Sequence, residues 1–254
     1  MKASFDSRIA RATELSQTYP SAASLLSFYR ALAVFQKSVS SEVQSNAGTD
    51  ARALTRHFPT LLDLMSRIGA QPIAEFGHQH LQTPAAQEEL LLGYWESGPV
   101  SDLTGAEAGR FFARVLLQPY AEYLASRGDI ALDKAEPTCP FCNARPVAAV
   151  LRGEGDGGKR WLLCSLCATE WQYRRVICPA CGEENKDKLP VYVAAEFDYV
   201  RVDACDSCRT YIKSVDLTKN GHAIPVVDEI ATVPLNIWAE EHGYWKLEPN
   251  LLGM

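Results

Sequence analysis

The spacing of apolar side chains predicts that the first half of the chain is helical. Apolar residues recur every three or four positions over residues 5–15, 25–39 and 111–123, which is the period of an amphipathic helix. The connections between helical stretches are short, so neighbouring helices are expected to run antiparallel in a bundle. The pattern therefore predicts an all-α N-terminal domain over residues 1–136.

Two helix starts in this half can be placed from capping residues. Thr60 with Asp63 resembles a capping box, in which the side chains at the first turn satisfy free backbone N–H groups. It predicts a helix that begins at about Thr60 and ends at Gly69. Thr104 with Glu107 has the same form and predicts the start of the long apolar helix that follows.

Beyond Glu136 the helical period stops and a β-rich segment begins. Six short apolar runs predict strands, at residues 147–151, 160–163, 170–176, 191–195, 199–202 and 211–215. The glycine-rich residues 153–158 predict a hairpin turn between the first two. Helical spacing returns past residue 226, where Pro234 leaves two possibilities: a helix that starts near Thr232, or one kinked helix.

All eight cysteines of the chain lie inside the β-rich segment. They form four C-x-x-C pairs, with roughly twenty residues inside each half of the array and a shorter link between the halves. The array therefore indicates two copies of one unit. The pairs are Cys139/Cys142, Cys164/Cys167, Cys178/Cys181 and Cys205/Cys208.

This spacing is typical of metal binding by four thiolates. Two cysteines three residues apart on a tight turn can point at one centre, and a hairpin returns a second pair to it, which makes a closed tetrahedral site. Sequential pairing needs the shortest loops. It predicts one site from Cys139, Cys142, Cys164 and Cys167, and a second from Cys178, Cys181, Cys205 and Cys208; crossed and nested pairings need longer loops.

These sites complete the predicted architecture. It is an α+β fold, with the helical domain over residues 1–136 followed by two rubredoxin-like or zinc-ribbon β modules over residues 137–176 and 177–225. A C-terminal helix and tail occupy residues 226–254. Four-thiolate sites suit zinc or a single iron of the rubredoxin type, and spacing alone leaves both open. Because four protein ligands leave no position for a substrate, we expect no enzyme activity.

Composition and charge indicate the cellular location and exclude some classes of partner. The chain has 254 residues, 47% of them hydrophobic, and a net charge of −6 from 25 basic and 31 acidic residues. It shows no secretory signal and no apolar run long enough to span a membrane, so we expect a cytoplasmic protein without membrane insertion. In reducing cytosol, clustered cysteines more often bind metal than form disulfides. No segment has the positive excess of a nucleic-acid-binding surface, so no nucleic-acid partner is expected.

Two other functions fit parts of the pattern. A zinc-ribbon module that binds nucleic acid or a polymerase would use the same cysteine spacing. A thiol oxidoreductase is suggested by Cys139-Pro140-Phe141-Cys142, which is similar to the C-P-Y-C of glutaredoxins. Redox motifs of that kind follow a strand and open a helix, whereas here no strand precedes the motif and a β-like run follows it.

Residues 137–245 resemble the FdhE family of formate dehydrogenase accessory proteins. The resemblance is carried by the stretches 163–171, 175–181 and 203–213 and by the opening residues 139–142. It implies a cytoplasmic accessory or maturation factor, similar to a chaperone, that binds the catalytic subunit of formate dehydrogenase. It also implies rubredoxin-type iron at both sites, with the eight cysteines as ligands and zinc as the alternative metal.

Overall fold

Helices fill the first half of the chain in the computed structural model, which describes residues 3–46, 50–98, 106–128, 130, 132, 136–154 and 157–254. Within the described residues, six helices precede the β-rich segment, joined in places by short 3-10 turns. They are α1 (Phe5–Thr18), α2 (Ala23–Ser45), α3 (Phe58–Arg67), α4 (Gln71–His80), α5 (Pro84–Ser97) and α6 (Glu107–Arg127).

Apolar stripes hold this bundle together as predicted. Leu26, Leu32 and Val39 on α2 are fully buried, and α2 packs against both α1 and α6. The start predicted for α3 at Thr60 is wrong, because α3 begins at Phe58 with a proline in its first turn, where the missing N–H costs nothing. Thr104, predicted to cap α6, lies outside the described residues.

One mixed sheet contains all the strands of the described chain, in the order β3-β2-β1-β6-β5-β4, with β7 alongside β6. The six predicted strands are all present, and β7 is an addition that the sequence pattern did not predict. The strands are β1 (Pro146–Glu154), β2 (Gly157–Cys164), β3 (Glu170–Tyr173), β4 (Val191–Val193), β5 (Val200–Ala204), β6 (Thr210–Asp216) and β7 (Trp245–Lys246).

The repeat in cysteine spacing is also a repeat in structure. Each half contributes three antiparallel strands, β1 to β3 in the first ribbon and β4 to β6 in the second. The ribbons join where β1 pairs in parallel with β6, with Val150 opposite Val215 at the centre of the pairing. The two zinc-ribbon-like modules therefore share one continuous sheet.

Two short helices follow the sheet, α7 (Pro225–Ala231) and α8 (Val233–Glu241). Of the two possibilities for this stretch, the structure has the helix that starts near Thr232. Pro234 lies in the first turn of α8, a position where proline is tolerated because its nitrogen has no intrahelical partner to lose. No helix in the described residues is long and apolar enough to cross a membrane.

The hydrophobic core continues from the helices into the first ribbon. Leu32 and Phe112 from the bundle belong to the same buried cluster as Cys164, Trp171 and Ile230. A second cluster lies between the second ribbon and α8. The first ribbon thus packs on the helical half, while the second packs mainly on the C-terminal helix.

A buried charge cluster crosses the interface between the sheet and α7. Lys213, on β6, is fully buried, and its Nζ lies 2.9 Å from Glu229 Oε1. Lys246 Nζ bonds the same oxygen, and Asn250 Nδ2 donates to Glu229 Oε2 at 2.8 Å. Burial acts to raise the pKa of Glu229, but the two lysines lower it to about 2.

A second set of buried ion pairs involves α1. Arg11 donates to Asp228 of α7 through Nη2 at 2.6 Å, and Tyr199 donates to the same carboxylate at 2.9 Å. Arg8 forms a bidentate ion pair with Glu122 on α6: Nη1 donates to Oε1 and Nη2 to Oε2, each at 2.8 Å. Such bidentate bonds fix geometry as well as charge, so α1 is held at once to α6 and α7.

We expect Glu229→Ala to lower the free energy of unfolding by about 3–5 kcal/mol, because it leaves two buried lysines without a carboxylate. Urea unfolding of wild type and variant at equal metal content measures the difference. Lys37→Ala is the control, since its pair with Asp6 is exposed and such pairs contribute about 1 kcal/mol or less. A loss as small as that of the control would contradict the assignment of Glu229.

Candidate metal centres

The structure gathers the eight cysteines into two groups of four. Within each group the four Sγ atoms all lie within 4.8 Å of one another. The grouping is the sequential one, with the first two C-x-x-C pairs in the first centre and the last two in the second. The first centre holds Cys139, Cys142, Cys164 and Cys167; the second holds Cys178, Cys181, Cys205 and Cys208.

The sulfur separations fit a tetrahedral metal site. In the first centre Cys142 Sγ lies 3.4 Å from Cys164 Sγ and 3.6 Å from Cys167 Sγ. In the second, Cys178 Sγ lies 3.7 Å from Cys208 Sγ. A metal about 2.3 Å from each of four sulfurs sets them about 3.8 Å apart, whereas a disulfide needs about 2.05 Å. The cysteines are therefore arranged for a shared cation and not for disulfides.

Each C-x-x-C pair sits on the same backbone turn. The N–H of the first cysteine donates at 2.9 Å to the carbonyl five residues later, as from Cys139 to Ala144 and from Cys205 to Thr210. The same bond closes the other two turns, Cys164 to Thr169 and Cys178 to Glu183. Four copies of one closed turn explain how the spacing in sequence becomes convergence of the sulfurs.

The residue after the second cysteine turns the chain back by taking a positive φ in every copy. It is Gly182 in the third turn, at +76°, and Asn143, Ala168 and Arg209 in the others. These three are the non-glycine residues with positive φ in the described ranges. Ala168 and Arg209 fit the turn poorly as residue types, yet they adopt the same conformation, so the closed turn overrides a local cost of roughly 1–2 kcal/mol.

Backbone N–H groups point at the sulfurs. Leu166 and Cys167 each direct an N–H at Cys164 Sγ, at 3.3 and 3.4 Å, and Ala180 directs one at Cys178 Sγ at 3.4 Å. Burial raises the pKa of Cys164 well above its usual value. Four thiolates at this spacing would repel one another in a buried site, and a bound cation removes that repulsion.

The two centres differ in exposure and in support. Three of the four cysteines of the first centre are buried, whereas Cys181 of the second is exposed. Helix α6 also bonds the second turn of the first centre directly: Arg114 Nη2 and Gln118 Nε2 donate to the carbonyl of Ser165, at 3.2 and 2.9 Å. Arg114 reaches the carbonyls of Pro249 and Asn250 as well, so one residue ties the helices, this turn and the C-terminal tail together.

Comparison with known proteins assigns this arrangement to a family. The FdhE central-domain model matches residues 138–175, and the FdhE C-terminal-domain model matches residues 176–252. The FdhE homolog of Aquifex aeolicus is 33% identical over 208 residues, which cover 80% of this chain and 71% of the relative. The chain belongs to the FdhE family. The resemblance noted in residues 137–245 is thereby confirmed.

The FdhE proteins of Pseudomonas aeruginosa match a shorter stretch of the sequence, but the fold matches over nearly the whole chain. The homolog of Pseudomonas aeruginosa is 33% identical over 161 residues, which span 59% of this chain and 51% of the relative. The crystal structure of the FdhE protein from Pseudomonas aeruginosa has a TM-score of 0.69 at 24% identity and covers 98% of this chain and 95% of that one. The helical half and both ribbons thus follow the FdhE fold.

The turn geometry gives a direct test at Gly182. We expect Gly182→Ala to cost about 1–2 kcal/mol of folding stability, because alanine is strained at the positive φ of this position. An added Cβ would meet no described atom within 4 Å, so no steric clash adds to that cost. Thermal unfolding at equal metal content measures the effect. Gly153→Ala, in β1, is the matched control: its Cβ would make an ordinary 3.5 Å contact with Thr218 Cγ2, and we expect no loss there. Equal stability of the two variants would show that the turn tolerates a side chain.

Proposed function

We propose that this chain is a cytoplasmic accessory factor that binds the catalytic subunit of formate dehydrogenase during maturation. Membership of the FdhE family carries the proposal, and the two four-cysteine centres support it. On this proposal the protein is not an enzyme. Each centre has four converging protein ligands, and a tetrahedral metal bound by all of them keeps no open position for a substrate.

Each centre is proposed to hold one metal ion through its four thiolates. Cys139, Cys142, Cys164 and Cys167 would be the ligands of the first, and Cys178, Cys181, Cys205 and Cys208 those of the second. We propose rubredoxin-type iron, which follows from the family, and zinc is the alternative. Iron would supply a one-electron couple, whereas zinc would supply structure alone.

The chain's own residues would do the structural work around the metals. The closed turns would set the thiolates at tetrahedral spacing around a cation, and the N–H groups aimed at sulfur would stabilise the thiolate form. Because the four thiolates of each centre converge only in the folded ribbons, metal binding would add directly to the folding free energy of the ribbons. The result is a stiff sheet that presents fixed surfaces to a partner protein.

Metal content tests the sites. We expect protein purified without oxygen to contain about two metal ions per chain, and Cys178→Ser combined with Cys181→Ser to retain about one and to unfold at lower temperature. Elemental analysis, the visible spectrum and thermal unfolding measure these outcomes. Colour with iron supports the rubredoxin type, and colourless protein with zinc supports the alternative. Folded wild type without metal would overturn both.

Partner binding tests the role. In a bacterial strain that lacks its own FdhE-family protein, we expect the chain to restore formate-dependent dye reduction and the tagged chain to retain the dehydrogenase catalytic subunit. The Cys178→Ser, Cys181→Ser variant should do neither, while Arg174→Gln, on an exposed ion pair with Glu184, should behave as wild type. The role would be refuted if the wild-type chain neither restored dye reduction nor retained the catalytic subunit. Salt-dependent binding of DNA or RNA would instead favour the nucleic-acid module.

A further inference from the structure

A buried arginine of the first ribbon faces the second centre. Arg160 lies on β2 and is 3% exposed. Its Nη1 donates to the carbonyls of Arg175, at 3.4 Å, and Ile177, at 3.2 Å. Its Nε and Nη2 find no hydrogen-bond partner among the described residues. The guanidinium therefore has buried N–H groups without an acceptor among the described residues.

A small cavity of about 50 Å³ lies between β2 and the second centre. Arg160 lines it together with Cys178 and Cys205, which belong to that centre. Tyr211 also lines it, and its buried hydroxyl lacks a partner in the part of the chain that is described. Because Ile177 directly precedes Cys178, the bond from Arg160 also holds the backbone that enters the third cysteine turn.

The charge of Arg160 is not offset by a nearby carboxylate. No described acidic side chain forms an ion pair with it within 4 Å. Asp203, which shares the cavity, forms its ion pair with Arg201, with Oδ1 2.8 Å from Nε but without a hydrogen bond between these two atoms, and Ser214 donates to its Oδ2 at 2.6 Å. Burial lowers the pKa of Arg160, and the more distant Asp203 and Cys178 act in the opposite direction. A buried guanidinium without a counter-charge is costly.

A loaded second centre would supply the missing counter-charge. A divalent metal with four thiolates keeps two negative charges in excess, and these attract a cation that is buried beside them. We propose that Arg160 is the buried counter-cation of the second centre, stabilising its four thiolates and thereby its metal. This inference rests on the proposed metal site and adds a positioning residue that is not itself a ligand.

The placement of Arg160 has a consequence for assembly. Arg160 belongs to the first ribbon and lies in sequence between Cys142 and Cys164 of the first centre. On this proposal its charge nevertheless stabilises the second centre. The second centre therefore gains its full affinity once β2 is in place. Since β2 is held by its pairing with β1 and β3, tight binding at the second centre depends on the fold of the first ribbon.

Zinc titration against a chromophoric chelator tests the role of Arg160 in the full chain. We expect Arg160→Gln to weaken zinc binding at the second centre by about 10–100-fold, the range typical of groups that support metal ligands, with the first centre unchanged. Arg160→Lys keeps the charge and should recover most of the affinity. Arg174→Gln, one exposed arginine changed to the same residue, is the matched control. Alkylation and mass spectrometry of the cysteines identify the unloaded centre.

The outcomes separate this inference from the proposed function. Wild type that binds no zinc at either centre overturns both. Two bound zinc ions with equal affinities in wild type and Arg160→Gln overturn the inference alone, as does a lysine variant as weak as the glutamine variant. If Arg160→Gln does not fold, Arg160→Lys decides: zinc affinity of the second centre close to that of wild type is expected, and a loss of about 10-fold or more refutes the inference.

Discussion

The parallel pairing of β1 with β6 is the interaction on which the rest of the architecture depends. Each ribbon alone is a three-stranded antiparallel unit, which is at the lower limit of independent stability. Joining them at Ala149, Val150 and Leu151 places β1 and β6 at the centre of one sheet. Both central strands are then largely buried. The pairing also brings β2 of the first ribbon close enough to line a cavity beside the second centre.

A buried central sheet must be covered, and α7 provides the cover together with the charges that position it. Adjacent residues of α7 bond in two directions: Asp228 to Arg11 of α1, and Glu229 to Lys213 of the sheet. The helical half and the ribbons are thus locked by consecutive carboxylates on one short helix. Buried ion pairs contribute little net stability against an apolar alternative, but they penalise any other arrangement heavily. We conclude that these pairs specify how helices and ribbons meet.

The local features of this molecule could be predicted from the sequence, and the long-range ones could not. Cysteine spacing predicted two four-cysteine sites because each closed turn is encoded within six residues, and short apolar runs predicted six strands because a strand is also a local pattern. The parallel pairing and β7 join residues more than thirty positions apart, which no local pattern records. The domain boundary proposed near residue 136 stays a prediction, since the core runs across it from Phe112 to Trp171.

Two features that the sequence analysis missed are visible in the sequence as charged residues in apolar runs. Lys213 interrupts an apolar run in β6, and Arg160 opens another in β2. A charged residue inside a strand that is buried on both faces requires a partner. For Lys213 the partner is Glu229, which lies in a helix that periodicity did predict. For Arg160 the described structure contains no carboxylate partner, which is why the second centre is the natural counter-charge.

Two centres of one design thus occupy different physical positions. The first is enclosed, shares the main core and is bonded by α6 through the Ser165 carbonyl, so its metal would be integral to the joint between helices and sheet. The second has an exposed ligand, Cys181, and an unpaired buried arginine behind it. Solvent reaches the second centre at Cys181, whereas the first has three buried ligands and a half-buried fourth, Cys142. A partner protein that docks on the ribbons would therefore meet a metal at the second centre more directly than one at the first.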